Sequence, residues 1–139
     1  MFSFLRRLWI APMISPTGLG LRKEDEWGRG HYGAPRTHGF HKGMDFICVP
    51  GHIVRMPING RIVRKAEPYP DSFLSGVVIR NKDMEIKLFY FKPDNELIGK
   101  NVKQGEKIGI AQDIRERYDD KMIPHLHLQI DSVNPAMFL

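Results

Sequence analysis

The sequence predicts a mainly β protein: an antiparallel sheet or sandwich with long loops and little helix. Three observations carry that expectation. Short apolar runs alternate with polar residues at period two, clearest where Leu126, Leu128 and Ile130 interleave with His125, His127 and Gln129. Turn formers are frequent, with 13 Gly and 10 Pro in 139 residues, which leaves little room for long helices. Short strands separated by such turns favour antiparallel pairing. The length and a hydrophobic share of 42% suit one domain with a real core. We divide the chain into a basic, apolar N-terminal segment, 1–15, and one domain, 16–139.

The elements follow in order. Residues 1–15 (MFSFLRRLWIAPMIS) are too short in apolar run, and too broken by Pro12, for a convincing signal-peptide core. Phe2, Leu5 and Trp9 suit one stripe of a short helix, with Arg6 and Arg7 toward water, expected to dock on the protein's own core, the alternatives being a partner or a membrane surface. Residues 15–36, rich in Gly and charge, predict a long loop rimming a site. Phe46 to Val49 reads as a buried strand with Asp45 at its mouth, and Gly43 permits a bend before it. Gly60 to Ala66 is strand-like, with a loop from Glu67 to Asp71. Gly76–Arg80 and Met84–Phe91 predict a hairpin turning at Asn81, Lys82 and Asp83. In its second strand Leu88, Tyr90 and Lys92 are expected on one face, Phe89 and Phe91 on the other. Asp113 to Tyr118 suits a single helical turn, and His125 opens the last strand.

Two segments carry chemistry: His41-Lys-Gly-Met-Asp45 and Pro124-His125-Leu-His127-Leu-Gln129. On a strand His125 and His127 share one face while the leucines enter the core. Two imidazoles and a carboxylate can serve one metal with a third imidazole left for proton transfer. That inventory suits a catalytic zinc site, with three protein ligands and one open position.

These motifs resemble those of the lysostaphin-type (LytM-like) zinc endopeptidases, which cut peptide bonds in bacterial peptidoglycan. The resemblance extends to Tyr32-Gly-Ala-Pro-Arg36, to the stretch from Pro50 to Ala66, and to Asn101–Gly109, which is similar to a V-x-x-G-x-x-I-G hairpin. It covers roughly 16–139. It implies the duplicated hybrid-motif kind of β fold, Zn2+ held by His41, Asp45 and His127, and His125 as the catalytic imidazole. It also implies peptidoglycan peptides as substrate, substrate contacts from Tyr32, Arg36 and His38, and a place in a bacterial envelope, periplasm or phage particle. Groove walls are expected from the loops around Tyr32, Tyr69 and Tyr118.

The sequence departs from that family where a Tyr-x-His-Leu strand is expected. Here Lys92 stands at the His, within Phe89-Tyr-Phe-Lys-Pro93. A lysine can donate to a developing oxyanion, so Lys92 joins His125 as a catalytic candidate. The same Lys-Pro is similar to the vertebrate leukocyte chemotaxins, which share the fold without known peptidase activity. An inactive, zinc-stabilised binding module is therefore the rival expectation.

Other classes fit less well. The net charge of +5 and pI near 9.5 suit anionic partners such as wall polymers. There is no basic helix, zinc-finger spacing or RNA-binding motif, so nucleic acid is not expected. No apolar run of about eighteen residues exists to span a membrane as a helix. Cys48, the single cysteine, reads as a buried structural thiol in what is expected to be a monomer.

Overall fold

A computed structural model of the protein describes residues 13–21, 35–36, 39–40 and 43–133. Its strands are β1 (Pro35–Arg36), β2 (Gly39–Phe40), β3 (Gly43–Ile47), β4 (Ile53–Arg55), β5 (Gly60–Ala66) and β6 (Gly76–Arg80). They continue with β7 (Met84–Phe89), β8 (Phe91–Pro93), β9 (Asn101–Val102), β10 (Lys107–Ala111) and β11 (His125–Val133). Among the described residues helix is confined to two 3-10 turns, Asn95–Leu97 and Ile114–Glu116. The mainly antiparallel β architecture expected from alternation is the one observed.

Six strands form one antiparallel sheet in the order β3-β11-β7-β6-β5-β9, and three form a second, β4-β10-β8. β1 pairs only with β2. One cluster of buried side chains joins the two larger sheets, with Leu126, Leu128, Leu88, Ile86, Val77 and Ile79 from the first and Val54, Ile108 and Phe91 from the second. The inner residues of β11, Leu126 and Leu128, are fully buried, so the opposite face of that strand is turned away from the core. That face carries His125 and His127.

The predicted hairpin forms by pairing β6 with β7, closed by Asn81, whose Oδ1 accepts from the backbone N–H of Asp83 and Met84. The predicted helical turn also forms; the Asp113 carboxylate caps it by accepting from the Arg115 N–H.

Four local expectations need correction. The run Met84–Phe91 is not one strand: it breaks at Tyr90, whose φ of 82° is positive. Tyr90 is the only non-glycine residue so placed among the described residues, and such a backbone costs about 1–3 kcal/mol. The break passes the chain from the large sheet to the small one and ends the alternation, so Tyr90 and Phe91 are both buried while Lys92 is exposed. Asp45 is not at the mouth of a strand at Phe46–Val49; it lies in the middle of β3, and Val49 is exposed beyond its end. Gly43 is likewise the first residue of β3 rather than a bend.

Residues 101–109 do not close a hairpin. β9 pairs with β5, while β10 pairs with β4 and β8, so the turn at Gly105 (φ 89°) bridges two sheets. Within the expected rim loop, Leu21 bridges to Phe46, Thr17 Oγ1 donates to the Ile47 carbonyl at 2.7 Å, and Pro35–Arg36 is paired backbone. The remainder, 22–34, and the helix expected within 1–12 lie outside the described residues. Met13, at the end of that segment, does pack on the core.

Candidate metal centre

The register of the large sheet assembles the centre. His127 of β11 is the direct antiparallel partner of Asp45 on one side and of Phe89 on the other. Directly opposed residues project to the same face, so two segments 82 positions apart meet side by side. The His127 Nδ1 lies 2.8 Å from Asp45 Oδ1, and His125 Nε2 lies 3.4 Å from Asp45 Oδ2. Asp45 and His125 are both buried. A buried carboxylate between two imidazoles is a polar cluster that apolar packing alone would not retain.

Each imidazole is oriented by a second contact. His125 Nδ1 is 2.7 Å from the Ile123 carbonyl, which can only accept, so Nδ1 carries the proton. In the neutral ring Nε2 then bears the lone pair and faces Asp45. Phe89 stacks on the His127 ring, with centroids 6.0 Å apart and planes 12° from parallel.

Gly43 leaves the space this packing needs. A Cβ there would collide with the Leu128 carbonyl and lie 2.9 Å from His127 Cε1. The reason for glycine is close approach of the Leu128 backbone carbonyl and of the His127 ring, not backbone freedom.

Three tyrosines flank the centre. The Tyr90 ring meets His125 edge-on at 5.7 Å and also leans against His127 and Phe89. Its hydroxyl is 3.2 Å from that of Tyr69, and Tyr69 in turn bonds Tyr118. The Arg117 guanidinium lies 3.9 Å above the Tyr69 ring. Burial, with the neighbouring phenols and Asp45, pushes the Tyr90 hydroxyl far above its ordinary pKa. Burial also raises Tyr118, to about 12, so both remain protonated at neutral pH. Tyr69 and Tyr118 thus reach the centre through Tyr90. Tyr90 was missed; the signal was the pair of consecutive large apolar residues, Tyr90 and Phe91, that interrupts strict alternation.

Of the predicted site residues, the structure brings together Asp45, His125 and His127. Lys92 sits exposed on β8, opposite Ile110 in the small sheet, and among the described residues no hydrogen bond or ion pair joins it to the centre. Arg36 belongs to β1, and its side chain is outside the described set. His41, His38 and Tyr32 lie outside the described residues altogether. Among the described residues, no three His, Cys, Asp or Glu side chains are placed to hold one metal ion between them. Asp45 and His127 fit zinc as two donors, nitrogen and oxygen, brought to one point on a rigid sheet.

An antiparallel sheet bearing such a carboxylate–imidazole centre on its outer face is the architecture of a metallopeptidase fold. The chain belongs to peptidase family M23, which residues 39–137 match. It is 30% identical to leukocyte cell-derived chemotaxin-2 of Mus musculus over 94% of this chain and 87% of that protein. Among solved structures it is similar to lysostaphin, the antimicrobial peptidase of Staphylococcus simulans, at 24% identity and a TM-score of 0.58. That match covers 91% of this chain and 51% of lysostaphin, so this chain spans about half of it. It is similar also to a zinc-containing peptidase of Vibrio cholerae, at 21% identity and a TM-score of 0.55, covering 90% of this chain and 39% of that one. These structural likenesses establish the lysostaphin-like fold. No helix of the described residues is long and apolar enough to cross a membrane.

Proposed function

We propose that the protein is a zinc-dependent peptidoglycan endopeptidase acting in a bacterial envelope or from a phage particle. The observation that carries this reading is the convergence of Asp45, His125 and His127 on one face of the sheet, with His125 Nδ1 against the Ile123 carbonyl and Nε2 toward Asp45. Membership of a peptidase family and the zinc-containing neighbour support it.

In this reading His127 and Asp45 hold the ion, with His41 as the third ligand. Zinc, when bound, polarises the scissile carbonyl and lowers the pKa of the attacking water. His125 Nε2 accepts the proton of that water and returns it to the leaving amine, while the Nδ1–H bond to Ile123 keeps the ring in the required tautomer. The hydrophobic shell of Phe89 and Tyr90 keeps bulk water off the imidazoles. Tyr32, Arg36 and His38 are proposed to contact the peptide, and Lys92 to serve the oxyanion.

A specific observation favours a second reading, a zinc-stabilised module without hydrolysis. Lys92 stands where an imidazole is expected and is exposed on β8, and the chemotaxin relative matches nearly the whole chain. Mass spectrometry of fragments released from purified sacculi of several wall chemistries separates the two. New amino termini with wild-type protein, reduced about a hundredfold or more in His125→Ala at unchanged zinc content, are expected of the enzyme. One zinc per chain and no fragments from any wall would establish the module instead.

A further inference from the structure

We propose that Tyr90 is the positioning residue of His125, its ring fixing the tilt of the imidazole beside Asp45. This rests on the reading of His125 as the proton-transfer residue. The Nδ1–H bond to Ile123 holds one side of the imidazole and Asp45 faces the other. The edge-on contact of Tyr90, at 5.7 Å and 81°, bears on the ring itself and sets its tilt with Nε2 toward Asp45 Oδ2.

The backbone explains how Tyr90 reaches this place. Strand alternation would send residue 90 inward with Leu88. The positive φ instead brings its ring against His125, His127 and Phe89, all of the outer face. A bulky residue persists in such a conformation only when its surroundings over-determine it. Here they do: its N–H donates to the Ser75 carbonyl at 2.7 Å, and its carbonyl accepts from the Gln112 N–H at 2.9 Å. Ser75 is held in turn, its N–H donating to Gln112 Oε1 and its hydroxyl to the Phe91 carbonyl. At the far end the phenol is tied to Tyr69. Both ends of the residue are fixed, and the ring between them touches the imidazole.

The test uses the zinc-loaded full chain, with imidazole nitrogen–proton NMR of His125 beside steady-state cleavage of sacculi. Tyr90→Leu is expected to keep one zinc per chain, shift and broaden the His125 signals, and lower kcat about a hundredfold with KM nearly unchanged. Tyr90→Phe, which keeps the ring, is expected to restore the His125 signals and most of kcat. Wild-type His125 signals in Tyr90→Leu would overturn the proposal. Should that variant fail to fold, Gln112→Ala loosens the clamp on Ser75 and leaves every ring in place; shifted His125 signals then support the proposal and unchanged ones overturn it. If the wild-type protein cleaves no wall, the peptidase reading fails, and the spectra alone still decide the role of Tyr90.

Discussion

At the scale of single residues, the centre depends on one absent side chain as much as on those present. Gly43 makes room for the His127 ring, and any Cβ would press on that ring and on the Leu128 carbonyl. Gly43→Ala must therefore push β3 from β11 as well as crowd the ring, and is expected to lose stability and to bind zinc about ten- to a hundredfold more weakly, the usual effect of disturbing what orients a ligand. Competition with a chromogenic chelator measures it, and wild-type affinity would refute the steric account. Cys48 behaves as its burial requires. Removal from water pushes its thiol up from 9.0 to about 12, with Asp113 adding to the shift. It should resist iodoacetamide at pH 8 in the native protein and react only on unfolding, as intact-mass analysis would show. The sign for stability follows: between pH 9 and 12 the unfolded chain loses this proton and the folded one keeps it. Stability from this group is unchanged below pH 9 and declines above it by about 1.4 kcal/mol per unit.

At the scale of elements, β11 joins the core to the chemistry. Its inward leucines and outward histidines are consequences of one period, so the site cannot move without disturbing the core. Leu128→Ala should cost about 2–5 kcal/mol of stability, read by urea denaturation, and should lower zinc affinity as well. A stability loss below about 1 kcal/mol would show that β11 is not anchored as described. By contrast, Asp113→Ala removes the cap of the turn Ile114–Glu116 together with an exposed ion pair to Arg115, and is expected to cost roughly 1 kcal/mol without altering zinc binding.

At the scale of the whole molecule, a bound ion stabilises the native state by mass action. Zinc at a hundred times its Kd should add about 2.7 kcal/mol, so chelation should lower the melting temperature reversibly by several degrees. Calorimetry with and without added zinc would show this, and no shift at any zinc concentration would remove both metal-bearing readings.

The alternation around His125 and the pair of motifs were enough to read the β class, the final strand and the face shared by His125 and His127. These follow from local periodicity, which depends only on neighbours in the chain. The hairpin at Asn81 and the turn at Asp113 were legible for the same reason, since their side chains bond their own backbone two residues on. What tertiary structure decided was everything set by register and by crossing between sheets. The pairing of Asp45 with His127, the room left at Gly43 and the placement of Lys92 in the small sheet each depend on residues far apart in sequence. So does the inverted φ of Tyr90, which no local preference would choose: a strained backbone is stable only because Ser75, Gln112 and Tyr69, brought from other elements, hold it in place.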